Sequence, residues 1–146
     1  MLVREVLKAK GGRIITVGPG ATASAAVALM VDHNIGSLPV LDGEGRLVGV
    51  VSERDLIRAV HEGCREFAST TIGEIMTADP ATCDIDDDVN QVMGQMSERR
   101  IAKVPVLSRG ELVGIVSVGD VIKLLYERIS VENGHLMEYL YGHSHS

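Results

Sequence analysis

The sequence contains few aromatic residues and few cysteines. None of its 146 residues is tryptophan, one is phenylalanine and three are tyrosine. Binding of single-stranded nucleic acid by stacking of bases on aromatic side chains is therefore disfavoured. The two cysteines, Cys64 and Cys83, form no CxxC motif and are too few for a disulfide framework. They are typical of reduced thiols in an intracellular protein.

The sequence also lacks a basic excess and any long apolar run. Its 14 Lys and Arg residues and 20 Asp and Glu residues give a net charge of −6, which disfavours a nucleic-acid backbone as partner. No apolar run approaches the roughly 18–20 residues that span a bilayer, and residues 1–6 do not resemble a signal peptide. We therefore expect a cytoplasmic protein with no membrane partner. Its 45% apolar and 23% charged residues are typical of a folded globular chain.

The chain contains an internal repeat, with residues 34–60 resembling residues 100–125. The first copy contributes Ile35, Pro39, Val40, Leu41, Leu47, Val48, Gly49, Val51, Ser52, Asp55 and Ile57. The second copy has the same residues at Ile101, Pro105, Val106, Leu107, Leu112, Val113, Gly114, Val116, Ser117, Asp120 and Ile122. Upstream, Thr16 aligns with Thr82 and Met30 with Met96. A duplication explains this pattern most simply.

Each copy carries the same predicted elements. Apolar residues at helical spacing, from Ala23 to Met30 and from Val89 to Met96, predict one helix in each repeat. Apolar strands separated by turns follow at 38–41 and 47–51, and again at 104–107 and 112–116. Second helices are expected over 53–61 and 118–129, and first strands near Thr16 and Thr82. The predicted class is α+β, with two β-α-β-β-α units packed sheet to sheet around a pseudo-twofold axis.

This organisation predicts four segments along the chain. Residues 1–63 form the first repeat, 64–71 the connection, 72–127 the second repeat, and 128–146 a helical extension and tail. The extension continues an apolar stripe beyond the second repeat, and we expect it to contact a second copy or a partner. Its apolar residues are Ile129, Leu136, Met137 and Leu140.

The paired motifs resemble the CBS (cystathionine β-synthase) domain, over about residues 3–126. The resemblance rests on a short strand ending in Pro-Val and on a Gly-hydrophobic-hydrophobic-Ser-x-x-Asp turn, which occurs at 49–55 and at 114–120. The chain is similar to stand-alone CBS pairs of the small prokaryotic type. That resemblance implies a regulatory sensor of AMP, ADP, ATP, NAD or S-adenosylmethionine derivatives, assembled as a dimer.

The resemblance implies a role for each motif residue. Asp55 and Asp120 would accept hydrogen bonds from ribose hydroxyls, and Ser52 and Ser117 would place helix N-termini beside a phosphate. Gly49 and Gly114 would let the ligand approach the backbone. The alternative is that each Ser-x-x-Asp segment is only a capping box, in which the two side chains bond each other's backbone N–H groups.

Further candidate ligand residues lie just before each Pro-Val. They are Ile35, Gly36 and Ser37 in the first repeat, and Ile101, Ala102 and Lys103 in the second. Arg54 and Lys103 are the expected phosphate contacts. Thr16 and Thr82 would meet the base. Arg99 and Arg100 are either further contacts or solvated cations at a helix end.

The leading hypothesis is therefore a module that binds an adenine nucleotide, most simply AMP, between the repeats and regulates an unidentified protein. The alternative is a ligand-free interaction scaffold that acts through its C-terminal helix. Catalysis is not expected, because the sequence suggests no Ser–His–Asp set, no Cys–His set and no metal-ligand cluster.

Overall fold

A computed structural model describes the backbone of residues 1–141 and the side chains of residues 1–131. The first half of the chain comprises α1 (Val3–Lys10), α2 (Ala23–His33), β1 (Ser37–Leu41), β2 (Leu47–Ser52) and α3 (Glu53–His61). The second half comprises α4 (Ile72–Ile75), β3 (Thr77–Ala78), β4 (Cys83–Asp84), α5 (Val89–Arg99), β5 (Lys103–Ser108), β6 (Glu111–Ser117) and α6 (Val118–Tyr141).

Side-chain caps explain where α2 and α5, the equivalent helices of the two repeats, begin. The Thr22 side chain accepts a hydrogen bond from the Ala25 N–H at 3.1 Å, and Asp88 accepts one from Asn90 at 2.7 Å. These contacts cap α2 and α5 by satisfying free backbone donors. Both helices end in a left-handed residue, Asn34 (φ 53°) and Arg100 (φ 55°). The predicted apolar stripes face the interior, with Met30 and Met96 buried.

The strands form two three-stranded sheets, with orders β1-β2-β3 and β4-β5-β6. The hairpins β1–β2 and β5–β6 are antiparallel, as the alternation and turns predict. The expected first strand is short in both repeats. In the first it is a single parallel bridge between Val17 and Val40, and in the second it is β4. The strand β3 pairs antiparallel with β2, so residues after the connection complete the first sheet.

The apolar interior consists of two clusters. One contains Leu38, Val40 and Val51 from the first repeat together with Ile72 of α4. The other contains Val104, Val106 and Val116 from the second repeat together with Val3 and Val6 of α1. Helices thus cover the apolar sheet faces. We had expected the two sheets to pack against each other around one shared core. Each short helix, α1 or α4, packs with the repeat in the other half of the chain.

Glycine permits this exchange at two equivalent strand positions. A Cβ atom at Gly49 would lie 2.8 Å from the Thr77 carbonyl oxygen, and one at Gly114 would lie 2.8 Å from Leu7 Cδ2. These glycines therefore make room for the segments that cross over from the other repeat. For Gly49, this replaces the expectation that the missing side chain admits a ligand.

The C-terminal helix is longer than the repeat requires. The helix α6 is continuous from Val118 to Tyr141, so the predicted helical extension is present. Residues 142–146 and the side chains of Leu136, Met137 and Leu140, which we assigned to a contact surface, lie outside the described residues. Within the part of the chain that the structure describes, no helix combines the length and apolar character needed to cross a membrane.

Candidate functional site

The first cleft lies at the N-terminus of α3, between the two sheets, and has a volume of about 520 Å³. The first repeat contributes Gly36, Ser37, Ser52, Arg54 and Asp55 to its walls. The second half of the chain contributes Thr77, Asp79, Pro80, Ala81, Arg99, Arg100, Ile101, Ala102, Lys103, Pro105 and Ile115. Residues of both repeats therefore line one cleft.

The second cleft lies at the N-terminus of α6 and has a volume of about 350 Å³. It repeats the arrangement of the first with the halves of the chain exchanged. Ser117 and Asp120 come from the second repeat, while Ile35 and residues 11–15 come from the first. Ser37 and Lys103 line both clefts.

The Asp55 carboxylate is buried and fully engaged by the protein. Its Oδ2 atom accepts hydrogen bonds from the Ser52 N–H at 2.8 Å and the Ser52 hydroxyl at 3.0 Å. Its Oδ1 atom accepts one from the Thr77 hydroxyl at 2.9 Å and lies 3.1 Å from Arg58 Nη2. Only 2% of the side chain is exposed. A ribose hydroxyl that bonds Asp55 must therefore replace one of these donors.

The Asp120 carboxylate is more accessible, with 23% of its side chain exposed. Its Oδ2 atom accepts a hydrogen bond from the Ser117 N–H at 3.0 Å and lies 2.9 Å from Lys10 Nζ. Burial alone would raise the pKa of Asp120, but the hydrogen bonds from Lys10 and Ser117 outweigh it and hold that pKa below its ordinary value. Asp120 is thus a paired, ionised carboxylate at the wall of the second cleft.

Both Ser-x-x-Asp segments form capping boxes. The Asp55 N–H donates to the Ser52 hydroxyl at 3.3 Å and the Asp120 N–H donates to the Ser117 hydroxyl at 3.0 Å, in return for the bonds from the serine N–H groups. The capping alternative is therefore confirmed as local structure. A ligand role for the same residues stays a prediction.

Four cationic side chains line the first cleft: Arg54, Arg99, Arg100 and Lys103. All four are exposed, and none forms an ion pair among the described residues. Arg99 and Arg100 do stand at the end of α5, but that helix end opens into the cleft. Three acidic residues, Glu53, Asp55 and Asp79, also line the cleft, and of these Asp55 is paired with Arg58.

The structure brings together most of the predicted ligand residues. Gly36, Ser37, Ser52, Arg54, Asp55, Ile101, Ala102 and Lys103 line the first cleft, and Ile35, Ser37, Lys103, Ser117 and Asp120 line the second. Thr16 and Thr82 lie outside both linings. A base contact by either threonine therefore has no support from its position.

Sequence reasoning missed Thr77 and Lys10, which bond the two motif aspartates. Lys10 ends α1 and Thr77 follows α4, the two short helices that cross between the repeats. The signal for these helices was present, because Val3, Val6 and Leu7 have the same apolar spacing as Ile72, Ile75 and Met76. Extending the repeat to this pattern would have placed residues 10–15 and the segment 77–81 at the two clefts.

The buried thiol of Cys83 is not suited to nucleophilic catalysis. Burial, followed by the nearby charges of Asp87 and Asp84, raises the pKa of the Cys83 thiol to about 11. Cys83 is therefore protonated at neutral pH and unreactive. Within the described residues, no group of three or more His, Cys, Asp or Glu side chains is placed to hold a metal ion.

The fold and the two clefts define an α+β tandem-repeat module whose clefts are lined by both repeats. Comparison with known proteins identifies this class. The sequence profile of the CBS domain matches residues 3–62 and 72–127. The chain belongs to the CBS domain family.

Its relatives include proteins that it matches over most of their length. The mitochondrial CBS domain-containing protein CBSX3 of Arabidopsis thaliana is 31% identical, over 96% of this chain and 72% of its own. The crystal structure of a CBS-domain-containing protein from Agrobacterium tumefaciens is 33% identical with a TM-score of 0.79, and covers 85% of this chain and 98% of its own.

A third similar structure carries ligands. The CBS domain pair of protein MJ0100, solved in complex with 5′-methylthioadenosine and S-adenosyl-L-methionine, is 31% identical with a TM-score of 0.76. It covers 88% of this chain and 98% of its own. Both ligands of that protein contain an adenosine group.

Proposed function

We propose that this protein is a regulatory module that binds an adenine nucleotide in the first cleft, and that it is not an enzyme. The observation that carries the proposal is the set of four cations in that cleft. Arg54, Arg99, Arg100 and Lys103 lie together in a chain whose net charge is −6. Exposed like charges repel one another, so a cleft that collects them favours an anionic ligand.

The number of cations bears on which adenylate binds. Only Glu53 and Asp79 oppose them in the lining, because Asp55 is buried against Arg58 and Thr77. The four cations stand on three elements, α3, the end of α5 and β5, so together they can contact two or three phosphates, whereas a single phosphate would leave some of them unpaired. We therefore propose ADP or ATP as the ligand, whereas the sequence alone favoured AMP.

The remaining walls suit an adenosine group. Val50, Ala81, Ile101, Pro105 and Ile115 provide apolar contacts for a base. Ser52, Asp55 and Thr77 form a hydroxyl and carboxylate cluster at which a ribose hydroxyl can exchange with Thr77. The adenosine-containing ligands of the related MJ0100 pair support this class of ligand.

The backbone at Arg100 supports a functional role for that residue. Arg100 is left-handed with φ 55°, while the same position at the end of α2 is Asn34. Asparagine adopts this conformation more readily than arginine. Arginine at this position therefore carries some backbone strain, which is common for residues that contact a ligand.

Titration calorimetry with adenosine, AMP, ADP, ATP and GTP tests the proposal. We expect affinity to rise from adenosine to ATP and to be weaker for GTP. Arg100→Asn combined with Lys103→Gln should weaken ATP binding at least about ten-fold, since each lost charged contact is worth about 1.5–3 kcal/mol. Asparagine suits the left-handed backbone at position 100, so this substitution should not destabilise the end of α5.

A matched control removes the same charge elsewhere. Lys8→Gln combined with Arg65→Gln changes two exposed cations outside both clefts and should bind ATP like the unaltered protein. Equal binding by both double variants, or no binding of any adenylate at millimolar concentration, would overturn the proposal.

An interaction scaffold is the second candidate function. Exposed apolar residues on α3 and α6 favour it, with Ile57 70% and Ile122 55% exposed. We propose that this face forms a homodimer and that a regulated protein reads the ligand state of the assembly. Under the scaffold alternative, the Arg100 and Lys103 substitutions leave partner binding unchanged with and without ATP. A cytoplasmic location stays a prediction from the sequence.

A further inference from the structure

Lys10, the last residue of α1, reaches into the second cleft. Its ammonium nitrogen lies 2.9 Å from Asp120 Oδ2 and donates a hydrogen bond to the Ile115 carbonyl oxygen at 3.0 Å. Ile115 lies in β6, just before α6 begins at Val118, and Asp120 lies in the first turn of α6. Lys10 therefore holds both the carboxylate of the Ser-x-x-Asp motif and a carbonyl of the neighbouring strand.

In the first cleft, the cation paired with the motif aspartate is Arg58, which does not line the cleft. The Asp55 carboxylate also accepts a hydrogen bond from the Thr77 hydroxyl, and this neutral group lines the cleft. The difference arises because α1 extends to Lys10, whereas α4 ends at Ile75 and gives way to β3. The two repeats thus present different donors to equivalent aspartates.

We propose that Lys10 sets the ligand specificity of the second cleft by closing it to uncharged nucleosides. This inference rests on the proposed function, in which a ribose hydroxyl bonds the motif aspartate. A ribose diol that takes up both oxygens of Asp120 must displace the ammonium from Oδ2, where Lys10 is bound to two acceptors, and charge-assisted hydrogen bonds are the stronger ones. An anionic ligand meets no such barrier, because its phosphate can take over the ammonium.

The rest of the second cleft is suited to a nucleoside. Its volume of about 350 Å³ lies within the range of small-molecule sites. Ile14, Ile15, Ile35 and Val113 supply apolar walls, and Ser117 supplies a hydroxyl. Removing the Lys10 charge should therefore create an adenosine site, and not simply an open surface.

The test is a titration with adenosine followed by backbone amide chemical shifts, which report each cleft separately. In Lys10→Met, which keeps the length and the apolar stem of the side chain, we expect shifts at Gly114, Ser117 and Asp120. The apparent Kd of the second cleft should fall at least about ten-fold relative to the unaltered protein. The same variant carrying Asp120→Asn should lose the gain.

Lys8→Met is the matched control, because Lys8 is exposed on the same helix and lines neither cleft. It should leave adenosine shifts at Gly114–Asp120 unchanged. The inference is overturned if Lys10→Met shows no new shifts there, or if Lys8→Met shows the same ones. Failure of the proposed function is seen separately, as absence of ATP-induced shifts at Ser52–Asp55 and Arg99–Lys103 in the unaltered protein.

Discussion

Asp55 and Asp120 occupy the same position in the two repeats, yet their carboxylates have different neighbours. Asp55 is 2% exposed and accepts bonds from Ser52, Thr77 and Arg58. Asp120 is 23% exposed, and its partners are Ser117 and Lys10. A carboxylate buried with several donors contributes to stability mainly because its removal leaves those donors unpaired.

Alanine substitutions should therefore destabilise the protein unequally. We expect Asp55→Ala to lower the free energy of unfolding by about 2–4 kcal/mol, because Thr77 and Arg58 lose their acceptor. Asp120→Ala should cost about 1 kcal/mol, close to the loss of a helix cap at an accessible position. Urea denaturation of the two variants measures the difference. Equal losses would show that burial does not distinguish these aspartates.

This inequality affects how binding data are interpreted. Loss of a ligand in Asp55→Ala could reflect loosening of the cleft, since Asp55 joins α3 to β3 through Thr77. Asp55→Asn keeps an acceptor oxygen for Thr77 and so disturbs the link to β3 less than alanine does, although its amide nitrogen places a second donor against the Ser52 N–H. It is the better probe of ribose recognition.

At the scale of the elements, apolar periodicity was sufficient to predict α2, α3 and α5 and both hairpins. Turn residues fixed the hairpins, and the predicted span 53–61 coincides with α3. Periodicity identifies which residues are buried but not what buries them. For that reason the exchange of α1 and α4 between the two cores was not predicted.

The same limit applied to the site. Residues beside the Pro-Val and Ser-x-x-Asp motifs were found because each motif occurs twice. Thr77 and Lys10 enter the clefts through the exchanged segments, and their contacts depend on pairing between distant parts of the chain. The number of cations in the first cleft was also underestimated. Whether Arg99 and Arg100 line the cleft or point to solvent depends on how α5 ends, which the sequence alone does not specify.

The exchange of segments makes a prediction about the two strand glycines. In Gly49→Ala, the new Cβ would lie 2.8 Å from the Thr77 carbonyl oxygen, which is backbone held in β3. In Gly114→Ala, it would meet only the tip of the Leu7 side chain, at 2.8 and 3.1 Å. Backbone yields less readily than a side-chain tip. We expect losses of roughly 2–3 kcal/mol for Gly49→Ala and about 1 kcal/mol for Gly114→Ala.

Urea denaturation of both glycine variants provides the measurement, and each serves as the control for the other. The amide signal of Ala78, which pairs with Gly49, should shift only in Gly49→Ala. A larger loss in Gly114→Ala would contradict the view that β3 is the less yielding neighbour.

At the scale of the whole molecule, the exposed apolar face repeats with the internal symmetry. Ile57 and Val60 on α3 are 70% and 58% exposed, and the equivalent Ile122 and Leu125 on α6 are 55% and 41% exposed. Each pair stands five and eight residues after the motif serine. A surface of this kind, present on both repeats, is suited to pairing with a second copy around a twofold axis.

We therefore expect the protein to have twice the chain mass of 15.6 kDa in solution, as measured by light scattering after size exclusion. Ile57→Glu combined with Ile122→Glu should yield the monomer without loss of fold, because both side chains are exposed and a buried carboxylate would oppose association. Val31→Glu is the control, since Val31 is 73% exposed on α2, outside this face, and its substitution should leave the mass unchanged.

If the double variant keeps the dimer mass, the assembly uses another surface. If the unaltered protein is already a monomer, the face on α3 and α6 is free for the regulated partner, and the double variant should then abolish partner binding instead.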